Sequence, residues 1–474
     1  AAYDVAKGAR AGAAPDGQLM ISPRVGFTYD LKGDRSQILR GGMGVFTSRI
    51  PFVWPGAMYN NNGLTTGRVS QGDVAAGVTF RPGIDDQYVN PNFTVPSGQI
   101  DLFSKDFKYP QVFRTNLAYD FTLPFGIETS LEFLFTKTMN NILYTNINSD
   151  PTVDFNWSGA DNRSVYTRSS IDGTYSAVYL ASNTSEGYSV NMTASFAKRF
   201  DSGLFATLAY SYGDSYSVSE GTSSQNSSQW RGQLSVNGRN NPGYGRADFA
   251  VGNRIVSSLT YRKAWSKDGN NATTVALYAN AQNGIPYSYV IAGSRDARNL
   301  NKETGSTSRY RSLIYIPNSA NDINLVDYTV GGTTVTAAQQ WENLNRLIND
   351  DPYLSANRGG YADKNGSWAP FTTDFDFSLK HDFGLNAGGQ NHRLQLSIDV
   401  INFANLLNKN WGVAYSVPGE FNYFYLYEFD GYEADGRTPK FFYLGNGETG
   451  TDRFDISNSG SRWRMRVGLR YMFN

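Results

Sequence analysis

The sequence predicts an all-β fold, a transmembrane antiparallel β-barrel with long extracellular loops and short periplasmic turns. Three observations predict it. Apolar and polar residues alternate over segments of about ten residues, the length that a tilted strand needs to cross a bilayer. Short and long connections alternate strictly along the chain. No run of some eighteen apolar residues occurs, and the mean hydropathy is −0.44, which excludes helical membrane spans.

The last strand, predicted over 461–473, shows the alternation most clearly. Successive side chains of a strand point to opposite faces. In a membrane barrel the apolar face lies against lipid, its terminal aromatic residues lie at the two interfaces, and the polar face lines a wet lumen. One face here carries Trp463, Met465, Val467, Leu469, Tyr471 and Phe473, and the other carries Arg462, Arg464, Arg466 and Arg470. The segments 113–123, 188–200, 204–212, 375–383 and 394–400 alternate in the same way.

The connections give the strand count. Turn residues occupy 32–34, 124–126, 201–203, 267–270 and 384–390, and long loops occupy 48–110, 140–187, 217–247, 290–370 and 408–460. Five hairpins and the last strand make about eleven strands. We expect no second apolar pattern within the long loops.

The direction of the terminal strands indicates part of a larger barrel. The first strand, at about 24–31, and the last strand both run toward the periplasm, so the two chain ends lie on opposite sides. A complete bacterial barrel has an even number of strands and both ends in the periplasm. We therefore expect the remaining strands to precede Ala1.

The amino-acid composition limits the classes of partner and the types of site that the chain can have. The chain has no cysteine, which excludes disulfides and thiolate metal sites. Its 42 basic and 42 acidic residues give zero net charge, so no nucleic-acid partner is implied. Outer-membrane lipid is the predicted surrounding.

Three stretches, 22–54, 353–383 and 394–411, resemble the C-terminal half of TonB-dependent outer-membrane receptors, closest to the Oar-like branch of Bacteroidota. The resemblance implies a 22-stranded barrel with a plug domain in its lumen. Residues 1–474 would then be its C-terminal half, without the plug and the N-terminal strands. It further implies a place in the cell outer membrane and energised uptake of a bulky ligand, namely a peptide, glycan or chelate. Implied partners are TonB, through an absent N-terminal segment, the N-terminal half of the barrel, and surface lipoproteins.

Two sets of residues are candidates for function. The first set is predicted to face the lumen, where the arginines either pair with neighbouring carboxylates such as Asp399 or form a patch for substrate. The second set consists of loop tryptophans that would contact a ligand or else simply pack within ordered loops. The lumen-facing set is Arg462, Arg464, Arg466, Arg470, Asp374, Asp376 and Asp399, and the loop set is Trp54, Trp157, Trp341, Trp368 and Trp411.

Two other functions remain open. One is a passive porin or a structural subunit of an outer-membrane complex. The other is an outer-membrane hydrolase, which needs a base near a nucleophile or carboxylate. We expect no enzyme, because His381 and His392 are predicted at the periplasmic rim, and no cofactor or metal. The pairs 85–86 and 350–351 are expected to be solvated acids rather than calcium ligands, and the glycines at 41–44 are expected to relieve crowding at a bend or beside a plug.

Overall fold

The computed structural model describes residues 8–63, 81–86, 98–293, 299–304, 311–388 and 390–473. Its helices are α1 (Val53–Asn60), α2 (Asn226–Arg231), α3 (Ala337–Asp350), α4 (Pro352–Ala356), α5 (Phe403–Leu407) and α6 (Asn458–Ser461). Its strands are β1 (Arg24–Asp30), β2 (Gln37–Thr47), β3 (Gln99–Phe103), β4 (Gln111–Leu123), β5 (Ile127–Asn146), β6 (Val153–Asn156), β7 (Ser164–Tyr166), β8 (Ala177–Thr184), β9 (Tyr188–Arg199), β10 (Leu204–Ser217), β11 (Gly245–Arg246), β12 (Gly252–Ala264), β13 (Ala272–Gln282), β14 (Pro286–Gly293), β15 (Tyr328–Val330), β16 (Thr333–Val335), β17 (Ser367–Trp368), β18 (Thr372–Ala387), β19 (Gln390–Ile401), β20 (Tyr415–Ser416), β21 (Tyr423–Tyr432), β22 (Pro439–Phe442), β23 (Asp455–Ile456) and β24 (Arg464–Phe473).

Eleven of these strands form one antiparallel path, which we call the barrel sheet. Its order is β1-β2-β4-β5-β9-β10-β12-β13-β18-β19-β24, so each strand pairs with the next long strand of the chain. The predicted strand count and the antiparallel architecture are confirmed. The sheet is open: within the described residues, β1 and β24 form its two edges. No helix in the described ranges is long and apolar enough to cross a membrane.

The register places the predicted apolar stripes on one face of the barrel sheet. Directly paired residues share a face of an antiparallel sheet. Leu131 pairs with both Tyr119 and Ala194, and Leu396 pairs with both His381 and Leu469. Large apolar side chains of this face are exposed, Leu469 by 71%. This is the surface that lipid covers in a membrane barrel.

The glycines within β2 are explained by crowding between strands. A Cβ atom on Gly41 would lie 2.9 Å from the backbone oxygen of Asn116 and 3.0 Å from the Phe27 ring on the neighbouring strand. On Gly42 it would lie 2.8 Å from the backbone oxygen of Val25. The crowding therefore arises within the sheet, and no bend interrupts β2 here.

Short turns join the hairpins at the five predicted places. One of them is shorter than predicted, because β18 continues to Ala387 and leaves only residues 388–389 between it and β19. At the other terminus of the path, β24 begins at Arg464 rather than at Ser461, because residues 458–461 form the short helix α6.

The long loops fold into a layer with its own apolar cores, contrary to expectation. A four-stranded sheet, β17-β14-β21-β22, is built from the loops 290–370 and 408–460 and from residues 286–289, which follow β13. Around it lies a cluster that we call the large loop core, which includes Trp157, Tyr289, Ile314, Leu344 and Phe441. A small loop core joins the first three long loops through residues that include Trp54, Met58, Phe103, Tyr179 and Trp230.

Candidate functional site

The face of the barrel sheet opposite the apolar stripes carries a chain of polar contacts. Near the first edge, Arg40 Nε donates to Asp120 Oδ2 at 2.8 Å, and its Nη2 lies 3.7 Å from Glu132 Oε2. In the middle, Arg254 Nε donates to Asn280 Oδ1 at 2.9 Å. Both hydrogen bonds join neighbouring strands of the barrel sheet, and the first of them pairs opposite charges.

The arginine row of the last strand lies at the other edge. Arg464, Arg466 and Arg470 share the polar face, whereas Arg462 precedes the strand. Arg466 Nη2 donates to Asp399 Oδ2 at 2.9 Å, and Ser378 Oγ donates to Asp399 Oδ1 at 2.7 Å. The Arg466 side chain is 80% exposed, which leaves its guanidinium accessible beside that pair.

The two remaining lumen candidates lie on β18. Asp374 and Asp376 occupy the polar face, paired in register with Asn280 and Tyr278. Asp376 Oδ1 accepts the backbone N–H of Asn402 at 2.8 Å. Asp376 thereby fixes the exit of β19 at the loop end of the sheet. Whether this face binds substrate stays a prediction.

Two of the five candidate tryptophans are buried in the loop layer. Trp54 donates its indole N–H to the backbone oxygen of Ser223 at 2.8 Å, and its ring packs in the small loop core. Trp157 stacks on Phe429 with ring centroids 5.7 Å apart and donates to the Tyr432 hydroxyl at 3.1 Å. In this structure both rings stabilise the layer and present no open face to a ligand.

The other three tryptophans lie nearer the surface. Trp341 packs against the large loop core, and Trp368 lies under the Arg246 guanidinium, 4.8 Å from its ring centroid. Trp411 is 54% exposed and lines a surface groove with Phe371 and Phe375. Because Phe375 belongs to the apolar face of β18, Trp411 lies at the outer rim of that face, where aromatic residues anchor barrels at the interface.

Sequence reasoning missed the buried ion pairs of the loop layer. Arg239 and Glu303 form a pair 3.1 Å apart with side chains 0% and 3% exposed. Arg163 binds both carboxylate oxygens of Asp161 and lies 4.8 Å from the Trp157 ring centroid. Asp161 and Arg163 are two residues apart, whereas Arg239 and Glu303 are 64 residues apart, and no signal in one sequence would have found the Arg239–Glu303 pair.

The expected solvated acid pair at 350–351 is wrong in the case of Asp351. Its carboxylate caps α4 by accepting the backbone N–H of Leu354, accepts the Tyr289 hydroxyl at 2.6 Å, and pairs with Arg453 Nη2 at 2.9 Å. Asp350 accepts the backbone N–H of Gly450 at 2.7 Å. Among the described residues, no group of three or more His, Asp or Glu side chains could hold a metal ion.

The histidines lie beside the last short turn. His381 Nδ1 is 2.8 Å from Thr273 Oγ1, and His392 Nδ1 is 2.7 Å from the Tyr471 hydroxyl. Their partners are hydroxyl groups of neighbouring strands on the apolar face. These contacts are the ones expected of interfacial aromatic side chains.

Comparison with known families gives the assignment. The family described as outer membrane beta barrel domain matches residues 4–416. The chain belongs to the outer-membrane β-barrel domain family. It is accordingly a protein of the cell outer membrane, with the apolar face of the barrel sheet against lipid.

Solved structures similar to this outer-membrane domain are outer-membrane proteins. The outer membrane transporter YddB from Escherichia coli is 10% identical, with a TM-score of 0.40, over 81% of this chain and 37% of that one. A mutant of the ferric enterobactin receptor PfeA from Pseudomonas aeruginosa is 8% identical, with a TM-score of 0.37, over 95% of this chain and 39% of that one. The chain thus spans about two fifths of the length of these structures. Comparison with curated proteins gives no significant match.

Proposed function

We propose that this chain is the C-terminal half of a TonB-dependent receptor barrel of the Oar-like type, which takes up a bulky ligand across the outer membrane. The observation that carries the proposal is the open sheet of eleven strands, half of the 22 that the resemblance implies. Unpaired strand edges are unfavourable in a bilayer, because their backbone groups find no water there. Further strands of the same protein would pair with β1 and β24 and close the barrel.

In the closed barrel the polar face would line the lumen. Arg464, Arg466 and Arg470 would then face a plug domain or a passing ligand, with Arg466 held by Asp399. The folded loop layer supports a receptor role, because a binding surface needs side chains fixed by a rigid support. Its buried ion pairs and aromatic cores supply that support. TonB, through a segment outside this chain, and surface lipoproteins are the partners we propose, and we propose no enzymatic activity.

The test measures which components of the growth medium the bacterium consumes. Mass spectrometry would compare the peptides, glycans and metal chelates consumed by the parental bacterium, by a strain lacking the full-length protein, and by a strain lacking TonB. The proposal predicts a component that is depleted only by the parental strain. Depletion that persists without TonB but requires the protein would indicate a passive porin. Extracellular cleavage products that depend on the protein would indicate a hydrolase.

A further inference from the structure

The loop layer contains a cavity of about 260 Å³ beside the large loop core. Its floor is formed by buried residues of β14, β21 and α3, among them Ala292, Leu426 and Leu347. Its rim is the segment 443–453. Leu444 and Asp452 on that rim are exposed, so the cavity opens to the surface.

The rim is held in place by α3. Tyr443 donates its backbone N–H to Gln340 Oε1 at 3.0 Å, and Gly450 donates its backbone N–H to Asp350 Oδ2 at 2.7 Å. Both acceptors belong to the same helix. The cavity is therefore preformed, which reduces the entropy that a ligand must overcome on binding.

Two residues that line this cavity, Tyr443 and Arg453, carry buried polar groups without protein partners among the described residues. The Arg453 side chain is only 10% exposed, and its Nη2 binds Asp351. Within the described part of the chain, Arg453 Nε and Nη1 and the Tyr443 hydroxyl are buried and have no hydrogen-bond partner. Buried donors without acceptors are costly. A ligand oxygen that reached these groups from the cavity would satisfy them.

Acidic side chains dominate the charge of the same cavity. Glu428, Glu448 and Asp452 line it, whereas the Arg453 guanidinium, which also lines it, is already paired with Asp351. Opposite charges across an interface select a binding partner. A cation is therefore favoured beside the carboxylates and an uncharged oxygen acceptor beside Arg453 and Tyr443.

We propose that this cavity binds one basic residue of a peptide. Its ammonium or guanidinium group would lie among Glu428, Glu448 and Asp452, its aliphatic stem against the apolar floor, and its backbone carbonyl oxygen would accept from Arg453 and Tyr443. Pockets for whole drug-sized ligands occupy roughly 300–1,000 Å³, so this smaller cavity suits a single residue of a longer ligand. This inference rests on the proposed function, because only a receptor barrel would hold the cavity on the extracellular side of the membrane. The ligand class that it adds is a peptide with a basic residue.

The test is calorimetric titration of the purified full-length protein with blocked tripeptides. The probes are acetyl-Ala-Lys-Ala-amide, the same peptide with Gln or Glu in place of Lys, and a neutral trisaccharide. We expect saturable binding of the Lys peptide, at least about tenfold tighter than the Gln and Glu peptides, because a hydrogen bond between charged groups is roughly twice as strong as one between neutral groups.

Three variants separate the site from its surroundings. Tyr443→Phe removes an unpartnered hydroxyl without opening a cavity, and should weaken binding of the Lys peptide about fivefold, the loss of one hydrogen bond. Glu428→Gln should remove most of the preference for Lys over Gln. Arg437→Gln, an exposed arginine of the same loop that does not line the cavity, should change nothing.

Several results would overturn the proposal: no saturable binding of the Lys peptide, tighter binding of the Glu peptide, binding of the trisaccharide alone, or unchanged affinity in both Tyr443→Phe and Glu428→Gln. None of these results bears on TonB dependence, which the consumption experiment measures separately. Conversely, loss of TonB dependence leaves peptide binding to the purified protein as predicted.

Discussion

Replacing Trp157 by alanine tests whether the long loops fold as one layer. The ring is 2% exposed. It stacks on Phe429 at 5.7 Å and packs edge-on against Phe441 and Tyr432 at 5.9 and 6.2 Å. These partners lie more than 270 positions along the sequence from Trp157, in the last long loop. The substitution therefore removes a contact between loops and not within one.

The expected cost follows from this burial. Truncation of a buried tryptophan to alanine costs about 3–5 kcal/mol, because contacts are lost and a cavity remains. At about 1.4 kcal/mol per factor of ten, the large loop core should open at least a hundredfold more often. Hydrogen exchange of the full-length protein in micelles measures this opening. Peptides that cover β14 and β21 should lose protection by that factor, while peptides from β10 and β12 in the barrel sheet should not change.

Trp411→Ala is the matched control, since its ring is 54% exposed. Surface substitutions usually change stability by within about 0.5 kcal/mol, so exchange should change by about twofold or less. Equal exchange in Trp157→Ala and Trp411→Ala would refute the shared loop core. So would a loss of protection in the Trp157→Ala variant that stays within residues 153–166.

Three further predictions concern the same layer. Arg239→Met should destabilise the loop layer by about 3–5 kcal/mol, because Glu303 then remains buried without its cation. The double variant with Glu303→Gln should recover part of this loss in a thermal unfolding assay. A double variant as unstable as Arg239→Met alone would contradict a stabilising Arg239–Glu303 ion pair. Proteinase K added to intact cells should cut first at the exposed turn 433–437 and spare 201–203, whereas early cleavage at 201–203 would reverse the orientation of the barrel. Burial raises the pKa of Asp101, which accepts hydrogen bonds from the Asn61 and Gln99 amides, so the folded layer binds this proton more tightly than the unfolded chain does. The stability of the layer should therefore fall as pH rises from the ordinary Asp pKa of 3.8 through the raised value. Hydrogen exchange of β3 that is slower at pH 7.5 than at pH 5, after correction for intrinsic rates, would contradict this.

The barrel sheet could be predicted because its signals are local. Each long strand alternates within itself, as in β24, and the short turns carry their own residue chemistry. The register followed from the alternation, since a slip by one residue would move every apolar side chain to the other face. Even the contact between Arg466 and Asp399 was foreseeable, because the two residues lie on consecutive strands of the path.

The loop layer could not be predicted in the same way. Its core joins residues from three loops, such as Trp157, Leu344 and Phe441. The helix α3 that carries Leu344 is amphipathic and begins with a capping box formed by Thr336 and Gln339, so the sequence indicates the helix itself but not the other loops that it contacts. The strand β14 is buried on both faces and so shows no alternation. For Trp54 and Trp157 the sequence left open both ligand contact and packing within ordered loops, because exposed and buried loop aromatics are alike in sequence. The cavity beside Arg453 combines residues of β14, α3, β21 and the rim, which only the folded structure brings together.

Cysteine labels at alternate positions of β24 test whether its apolar stripe faces lipid, and residues 1–474 contain no cysteine that would compete for the label. Single cysteines at Met465, Val467 and Leu469 and at Arg464, Arg466 and Arg470 would be introduced into the full-length protein in its outer membrane. We expect that a fluorophore at the first three positions is quenched by nitroxide lipids, and that the last three positions react with a water-soluble maleimide. Uniform reactivity, or quenching at the arginine positions, would contradict a lipid-facing apolar stripe.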